Sequence, residues 1–485
     1  MNAKQGCWTC KQRKIRCDKA LPHCDNCLRT NRECQGYGIR LVWPDSPDGR
    51  RSKADVFAAS SSDDERQLTS WNGHVQFLNF TLGDLRNRKL FRPAARKCLS
   101  SPQPALTLHP VVGQDALLLS YYESNIATMI STTNAQNGFR NDLLPMALAT
   151  PPDPAASALC NAMLAVAAHH TLGSAAALPY KARAVSHLSR ALGAGSEEAT
   201  EIQMAASMML CVYSVFDEAE GNWNVHLDGT KRMFRRKKRV DSEFVLTWFL
   251  YHEVLGCFTR PSRLQDDETD MLSYVEASIQ DPTLIIGSLG CSLETISIIH
   301  KINKMRLHHS TPKTATPTTT ALTHPSPKAS KQRLLLETQL ANLTQILPPL
   351  ERHNHLRTLA IAELYRLAAI LYLQRICPST PDDAPRRALY LKKAFELFSL
   401  LQVATSPWPV FVVACESAPS DEDRMAILGV LDRMDEVRGI GNVRVMRGLV
   451  ESFWKQFDLG QVAEGAWASW WDDDGDAAVA EPWFI

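Results

Sequence analysis

The segment CWTCKQRKIRCDKALPHCDNCLRTNREC, residues 7–34, decides the fold of the N-terminal part of the chain. It contains two halves of equal spacing, C-x2-C-x6-C, whose six cysteines are Cys7, Cys10, Cys17, Cys24, Cys27 and Cys34. A zinc ion takes four ligands in a tetrahedron, with sulfur at about 2.3 Å. Three thiolates per half leave each ion one ligand short, so two zinc ions both reach four ligands only if two sulfurs bridge them. Since the first residues show no apolar leader, we expect metal ligation here rather than a disulfide framework.

Composition and net charge describe a globular chain, but the averages conceal an uneven distribution. The 485 residues are 45% hydrophobic and 22% charged, with a formal net charge of +1. The sequence contains no run of about 18 apolar residues, the length that spans a membrane, so no membrane span is predicted. Residues 1–40 hold nine Lys or Arg against three Asp or Glu, a formal charge of +6, and the remainder carries −5. The basic segment favours double-stranded DNA as a partner. The seven other cysteines are predicted to be buried, reduced thiols.

A basic stretch, KQRKIR at residues 11–16, lies between Cys10 and Cys17. We predict that it forms a short helix with its cations on the exposed face. Such a helix fits the major groove, where Arg or Lys donates to guanine O6 and N7. Lys11, Arg16 and Lys19 are expected to contact phosphates, which position a protein on DNA without reading its sequence. The alternative is a zinc-stapled protein-interaction module that carries these cations as solvated charges.

The cysteine array resembles the fungal six-cysteine binuclear zinc cluster DNA-binding domain over about residues 6–37. The resemblance implies that Cys7 and Cys24 bridge two zinc ions, one held with Cys10 and Cys17 and the other with Cys27 and Cys34. It also implies that the residues matching Arg13 and Lys14 read a CGG triplet at genes of RNA polymerase II, with Lys14 as the principal reader. Because residues 7–34 offer few core side chains, folding is expected to depend on zinc, whose binding contributes about 10–16 kcal/mol in comparable modules.

From about residue 114 onward the apolar residues recur at helical spacing. Met204, Met208, Cys211 and Val215 form one stripe, and a second runs from Leu356 to Leu371. Further helices are predicted near residues 157–172, 180–192, 224–239, 242–258, 292–307, 386–404, 421–435 and 443–457. Prolines, among them Pro407, are predicted to separate these helices. Recurrent alternation with period two is absent, so the fold class is predicted to be all-α: a small zinc module joined to a large helical regulatory domain. The predicted domains are 1–40 (zinc cluster), 41–113 (a partly disordered linker), 114–460 (the helical domain, with a Ser/Thr/Pro-rich loop at 310–330) and 461–485 (an acidic, aromatic tail).

The stretch WNVHLDGTKRMF, residues 223–234, resembles a signature of the fungal-specific transcription factor domain. The resemblance implies a helical regulatory module without catalytic residues. No nucleotide-binding, hydrolase or metalloprotease motif competes with it, so no enzyme activity is expected. His169, His170 and His226 lack carboxylate or cysteine partners at helical spacing and are predicted to be core or capping residues.

Two further segments carry functional predictions. The cations Lys231 and Arg232, followed by Arg235, Arg236, Lys237, Lys238 and Arg239, are predicted to lie on the side of a helix opposite Met233 and Phe234. The last five form a candidate nuclear import signal, with a second phosphate-binding surface or a solvated helix end as the alternatives. Residues 50–53 (RRSK) and the zinc module are two further import candidates. In the tail, aromatic residues interleave with acids after Lys455, which is typical of segments that bind coactivators or the transcription machinery. An alternative packs Trp467 and either Trp470 or Trp471 against the helical domain and leaves only the tip free. The predicted protein is a nuclear DNA-binding regulator, with monomeric and homodimeric binding both open; the rival function is a ligand-sensing regulator without direct base readout.

Overall fold

The computed structural model describes residues 6–37, 113–134, 136–149, 153–193, 199–219, 223–237, 240–264, 271–279, 281–309, 327–349, 355–377, 380–469 and 484. The chain divides into two compact units, Met1–Ser100 and Ser101–Ile485. The described part of the first unit contains two short helices, α1 (Trp8–Gln12) and α2 (Asp25–Arg29). Of the predicted linker, 41–113, all residues except Gly113 lie outside the described ranges.

The described part of the second unit is built of helices with one small hairpin. Its α-helices are α3 (Gln114–Tyr121), α4 (Ala127–Met129), α5 (Gly138–Asn141), α6 (Leu143–Ala147), α7 (Pro154–Leu172), α8 (Ser174–Gly193), α9 (Glu201–Phe216), α10 (Trp223–Arg236), α11 (Glu243–Thr259), α12 (Met271–Ser278), α13 (Leu293–His309), α14 (Pro327–Asn342), α15 (His355–Ile376), α16 (Asp383–Leu400), α17 (Pro407–Glu416), α18 (Asp421–Arg438) and α19 (Gly441–Asp458). A π-helical turn, Tyr122–Ile126, joins α3 to α4, and 3-10 turns cover Pro261–Leu264 and Ala466–Ser469. The all-α prediction is confirmed.

Helices α9, α11 and α15 form the centre of this unit, because their side chains are buried on nearly every face. The start of α9 is set by a capping box, in which Thr200 accepts from the backbone of Gln203 and the Gln203 side chain accepts from the backbone of Thr200. The long helices α7 and α8 pack against each other, and α7 also packs on α9. The predicted apolar stripe on α9 is thus one side of a helix that is enclosed all round.

A two-stranded antiparallel hairpin, β1 (Ile285–Ile286) and β2 (Cys291–Ser292), interrupts the helices. Ile285 pairs with Ser292 and Ile286 with Cys291. Gly290 takes a left-handed conformation in the turn, with φ of 75°. At Gly287 a side chain would meet the Thr133 hydroxyl at 2.0 Å, so the chain needs glycine to approach the 131–133 segment.

Two helix starts differ from the sequence prediction. Pro407, predicted to separate helices, is instead the first residue of α17, a position that proline suits because its fixed φ is helical and its missing N–H has no partner there anyway. Helix α14 begins at Pro327, so the last four residues of the predicted loop 310–330 are helical. Its other residues, 310–326, lie outside the described part.

Candidate metal centre and nucleic-acid interface

The two cysteine halves form the same local structure twice. Cys7 precedes α1 and accepts a hydrogen bond from the Cys10 backbone N–H at 3.4 Å. Cys24 precedes α2 and accepts from the Cys27 N–H at 3.3 Å. In each half the first sulfur therefore occupies the position of a helix N-cap side chain, which explains the C-x2-C spacing in local terms. Backbone N–H donors at both sulfurs favour the thiolate form.

Each short helix also ends in the same way. At the end of α1, Lys14 N–H donates to Lys11 O and Ile15 N–H to Cys10 O, both at 3.1 Å. At the end of α2, Asn31 N–H donates to Leu28 O and Arg32 N–H to Cys27 O, both at 3.0 Å. Lys14 and Asn31 have positive φ, 55° and 48°. These are two Schellman endings, which reverse the chain so that the third cysteine of each half returns towards the first two.

The six thiols form two overlapping groups of four. One contains Cys7, Cys10, Cys17 and Cys24, the other Cys7, Cys24, Cys27 and Cys34, and the ligand atoms in each lie within 4.8 Å of one another. The Sγ atoms of Cys7 and Cys24, which both groups share, are 3.5 Å apart, and those of Cys10 and Cys24 are 3.6 Å apart. Two sulfurs on one tetrahedral zinc at about 2.3 Å lie about 3.8 Å apart. The donor set therefore fits two tetrahedral ions with two shared sulfurs.

The thiols differ in how readily they lose a proton. Burial raises the pKa of Cys7, Cys10, Cys24 and Cys27. Burial acts in the same direction at Cys17 and Cys34, but backbone N–H donors outweigh it and lower the pKa to about 7 for Cys17 and about 6 for Cys34. Zinc binding must therefore displace protons from the four thiols whose pKa is raised, and this couples metal affinity to pH.

Polar side chains join the two halves, and the sequence analysis did not single them out. The carboxylate of Asp18 accepts from the backbone N–H groups of Asp25 (2.9 Å) and Asn26 (3.2 Å). These donors lower the pKa of Asp18. The Tyr37 hydroxyl donates to Ala20 O at 2.6 Å, and Thr9 Oγ1 donates to Glu33 O at 3.0 Å. The sequence signal that could have identified Asp18 is its position directly after Cys17, a predicted zinc ligand. The Leu21–Pro22 bond in the connecting loop is cis.

The predicted DNA-contacting cations are all exposed, but most of them are not helical. Helix α1 ends at Gln12, so the prediction of a helix across residues 11–16 is wrong beyond that point. Arg13 is its C-cap, and Lys14 and Lys19 have left-handed backbone, with φ of 55° and 64°. The physical reason is that Cys17 must return to the sulfur group after only six intervening residues. The Lys11 ammonium lies 4.7 Å from the Trp8 ring.

The two halves differ in charge on this otherwise matching backbone. Residues 11–16 carry four cations and no acid, whereas the corresponding residues 28–33 carry two cations and Glu33. The exposed positive charge is therefore concentrated at the end of the first helix. A cationic turn of this kind complements the phosphates and base edges of a nucleic acid.

Comparison with protein families agrees with both units. A model described as the fungal Zn(2)-Cys(6) binuclear cluster domain matches residues 5–44, and one described as the fungal specific transcription factor domain matches residues 117–476. The chain belongs to this fungal transcription factor family. It is a fungal, zinc-binding, DNA-binding transcription regulator, and the families concerned are not enzyme families.

Relatives of this transcription factor resemble it over very different lengths. Transcription factor iacI of Pestalotiopsis fici is 25% identical over 338 residues, 66% of this chain and 79% of the relative. Arginine metabolism regulation protein II of Saccharomyces cerevisiae is 53% identical over 38 residues, 8% of this chain and 4% of that protein. Transcriptional regulatory protein moc3 of Schizosaccharomyces pombe is 59% identical over 34 residues, 7% of each chain. The latter two matches concern only a short segment. No solved structure matches the chain.

The predicted import cluster of the transcription factor is only partly available at the surface. Arg235 and Arg236 are exposed in the last turn of α10. Lys237 pairs with Glu201 at 3.4 Å, and its side chain is 17% exposed. Lys238 and Arg239 lie outside the described residues. Lys231, which the sequence placed on the cationic side of the same helix, is buried and donates to Glu253 at 2.7 Å, so that interpretation is wrong for this residue.

The histidines of the regulatory domain have structural surroundings. His170 Nε2 lies 2.7 Å from Arg438 O at the end of α18, and its Nδ1 lies 2.8 Å from the Tyr121 hydroxyl. His169 lies 3.7 Å from the Asp217 carboxylate. The backbone oxygen of His226 accepts from Ser207 Oγ at 2.9 Å. The contact of His170 with the last carbonyl of α18 agrees with the prediction of a capping residue. The contact of His226 is made by its backbone, so the prediction for its side chain stays untested.

Two aromatic residues near the C-terminus are buried in the regulatory domain. Trp467 is fully buried and donates to Glu416 Oε1 at 2.8 Å. Phe484, 2% exposed, packs against Phe411 and Phe258, with ring centroids 4.4 and 5.6 Å away. Packing of Trp467 is therefore confirmed, but the expectation of a free tip is wrong for Phe484. Trp470 and Trp471 lie outside the described residues. None of the helices in the described ranges has the length and apolar character needed to cross a bilayer.

Proposed function

We propose that the six cysteines hold two zinc ions and that the turn after α1 reads a CGG-type triplet in the major groove. One ion takes Cys7, Cys10, Cys17 and Cys24, and the other takes Cys7, Cys24, Cys27 and Cys34. The two overlapping sulfur groups support this assignment. Bound zinc offsets most of the thiolate charge and holds the two halves together, while residues of the chain contact the DNA.

The conformation of Lys14 is the observation that carries the base-reading proposal. A left-handed backbone costs about 1 kcal/mol at a residue other than glycine, asparagine or aspartate. At the matching turn of the second half the chain has Asn31, which suits that conformation. A lysine at this position is unfavourable for folding, which points to a functional reason for it. Arg13 is the second proposed reader, and Lys11, Arg16 and Lys19 are proposed to contact phosphates.

The substitution Lys14→Asn tests the reader without harming the fold. It places in the first half the residue type that the second half already uses, so folding is expected to be slightly favoured and zinc content unchanged. Loss of base contacts should reduce the preference for CGG over a scrambled triplet by about 1–3 kcal/mol, or roughly 5- to 150-fold. Fluorescence anisotropy with both duplexes measures the preference, and zinc content is determined in parallel.

Matched variants separate base readout from general electrostatics. Arg29→Gln removes an exposed cation from α2 and should leave the CGG preference intact. Lys19→Gln should weaken binding to both duplexes equally and reduce the log–log salt slope by about 0.9. An unchanged preference in Lys14→Asn would overturn the assignment. It would favour the zinc-stapled interaction module, or a ligand-sensing regulator without direct base readout.

We infer that this regulator acts in the nucleus on genes of RNA polymerase II. Arg235 and Arg236 are the exposed, described members of the proposed import signal. If they contribute, Arg235→Gln with Arg236→Gln should reduce nuclear fluorescence of the tagged full chain; unchanged nuclear signal would assign import to the zinc module or to residues 50–53. Since Trp467 and Phe484 are buried, we assign the proposed coactivator contact to the aromatic and acidic residues of the segment 470–483 between them. Binding to DNA as a homodimer stays a prediction. The number of chains bound per duplex, taken from the anisotropy titration, distinguishes a dimer from a monomer.

A further inference from the structure

A small cavity lies inside the regulatory domain, where segments far apart in the sequence meet. It has about 50 Å³ of free volume. Its walls come from α9, α11, the end of α18, the hairpin turn at 287–289, the 129–132 segment and residues 405–406. Much of the lining is apolar, including Phe139, Val212, Val215, Phe216 and Leu289.

One wall of the cavity is formed by a buried guanidinium. Arg438 is 6% exposed. It donates to two backbone oxygens, Thr405 O at 3.0 Å and Met129 O at 3.2 Å. Among the described residues, no carboxylate forms an ion pair with it. The neighbouring charged side chain is Arg357, and burial together with this like charge lowers the pKa of Arg438 to about 10. A buried charge without an opposite charge is unfavourable unless something compensates it.

Several buried polar atoms at the same cavity have no hydrogen-bond partner among the described residues. They are Arg438 Nε, Trp248 Nε1, Ser288 Oγ and Thr405 Oγ1, and all four residues line the cavity. The two nitrogens can only donate, and the hydroxyls can donate as well. Most buried polar groups in folded proteins are paired, so four such atoms around one cavity point to a missing acceptor. That acceptor must also supply negative charge.

We propose that this cavity binds a small carboxylate, with its oxygens towards Arg438 and a short aliphatic part against the apolar wall. A carboxylate accepts several hydrogen bonds and offsets the guanidinium charge, which a single water molecule does not. The free volume limits the ligand to about three or four non-hydrogen atoms, the size of formate or acetate, since a cavity of about 150 Å³ accommodates benzene. The bound acid joins α9, α11 and α18 and thereby stabilises the regulatory domain. The proposal does not depend on the DNA-reading proposal.

Thermal unfolding of the zinc-loaded full chain tests the site. Sodium formate or acetate replaces sodium chloride at constant ionic strength, and formamide and acetamide serve as neutral ligands of the same shape. We expect a saturable rise in Tm of about 2–4 °C with one or more of the acids and none with the amides. An equal rise with the amides, or no dependence on acid concentration, would overturn the proposal.

Variants then locate the effect. Ser288→Ala combined with Thr405→Val removes two hydroxyls that have no hydrogen-bond partner in the described part of the chain, so the fold should persist while the acid concentration for half-maximal effect rises about tenfold. Thr338→Val, at an exposed hydroxyl bonded within its own helix, is the control and should leave that concentration unchanged. Arg438→Gln should abolish the effect, and the double variant keeps the test decisive if Arg438→Gln does not fold. A crystal grown with sodium acetate should show planar carboxylate density in the cavity within hydrogen-bond distance of Arg438; water alone there would contradict the proposal.

Discussion

Replacement of Glu253 by glutamine should strongly destabilise the regulatory domain, because this side chain holds together a buried charge cluster. Glu253 lies on α11 and is 4% exposed. Its carboxylate accepts from Lys231 Nζ at 2.7 Å and from Arg263 Nη2 at 2.5 Å. Both partner side chains are less than a tenth exposed. Burial alone would raise the pKa of Glu253, but the two cations outweigh it and hold the pKa below its usual value.

The expected magnitude follows from what the substitution leaves behind. Glutamine keeps the shape but removes the negative charge, so Lys231 and Arg263 each lose a buried ion pair. Among the described residues, Arg263 keeps its pair with Asp228, whose side chain is 45% exposed. Breaking a buried ion pair from one side costs about 3–5 kcal/mol. Glu253→Gln should therefore lower the free energy of unfolding of this domain by about that amount. The double variant Glu253→Gln with Lys231→Met should recover part of it, since it also removes one of the two buried cations that faced the carboxylate.

Urea unfolding followed by tryptophan fluorescence measures these changes, with the free energy taken from the transition of the regulatory domain. The matched control is Glu451→Gln. The Glu451 side chain is 51% exposed, and its carboxylate lies 2.9 Å from Nε of Arg447. An exposed pair of this kind contributes about 0–1 kcal/mol. If Glu253→Gln and Glu451→Gln shift the midpoint equally, or if Lys231→Met adds to the loss instead of reducing it, the role assigned to the buried cluster is incorrect.

Two further predictions concern metal and pH. Chelation of zinc should unfold residues 6–37 while the helices of the regulatory domain persist, because the small unit has few core side chains apart from its cysteines. Circular dichroism measures the helix content, and the amount of zinc released should be two equivalents per chain. A segment 6–37 that stays folded without zinc would contradict the prediction. Burial lowers the pKa of His252 to about 3. Between pH 6.5 and 3 the unfolded chain therefore binds a proton that the folded chain does not, so stability falls as the pH drops, by up to about 1.4 kcal/mol per unit from this group. His252→Phe should remove that component, and identical pH profiles of the two proteins would refute the assignment.

Local rules were sufficient for much of what the sequence analysis predicted. The C-x2-C-x6-C repeat determines the short helices, because a thiolate at the N-cap and a chain reversal within six residues are local requirements. Helical periodicity likewise located most helices of the second unit, since a spacing of three and four places apolar residues on one face. The start of α17 at Pro407 was missed because the same residue separates helices in one setting and begins them in another.

Tertiary packing decided which of these residues face solvent and which face one another. Lys231 and Arg235 lie on one helix in one cationic run, yet Lys231 is buried against Glu253 while Arg235 is exposed. The pattern could not distinguish them, because the partner carboxylate comes from another helix. The anchoring of Phe484 against Phe411 and the cavity at Arg438 likewise bring together segments separated by tens to hundreds of residues. Sequence by itself determined the metal-ligating residue types and the helical period, which depend on neighbours along the chain. Burial, charge pairing and the cavity were decided by the tertiary structure, because they depend on neighbours in space.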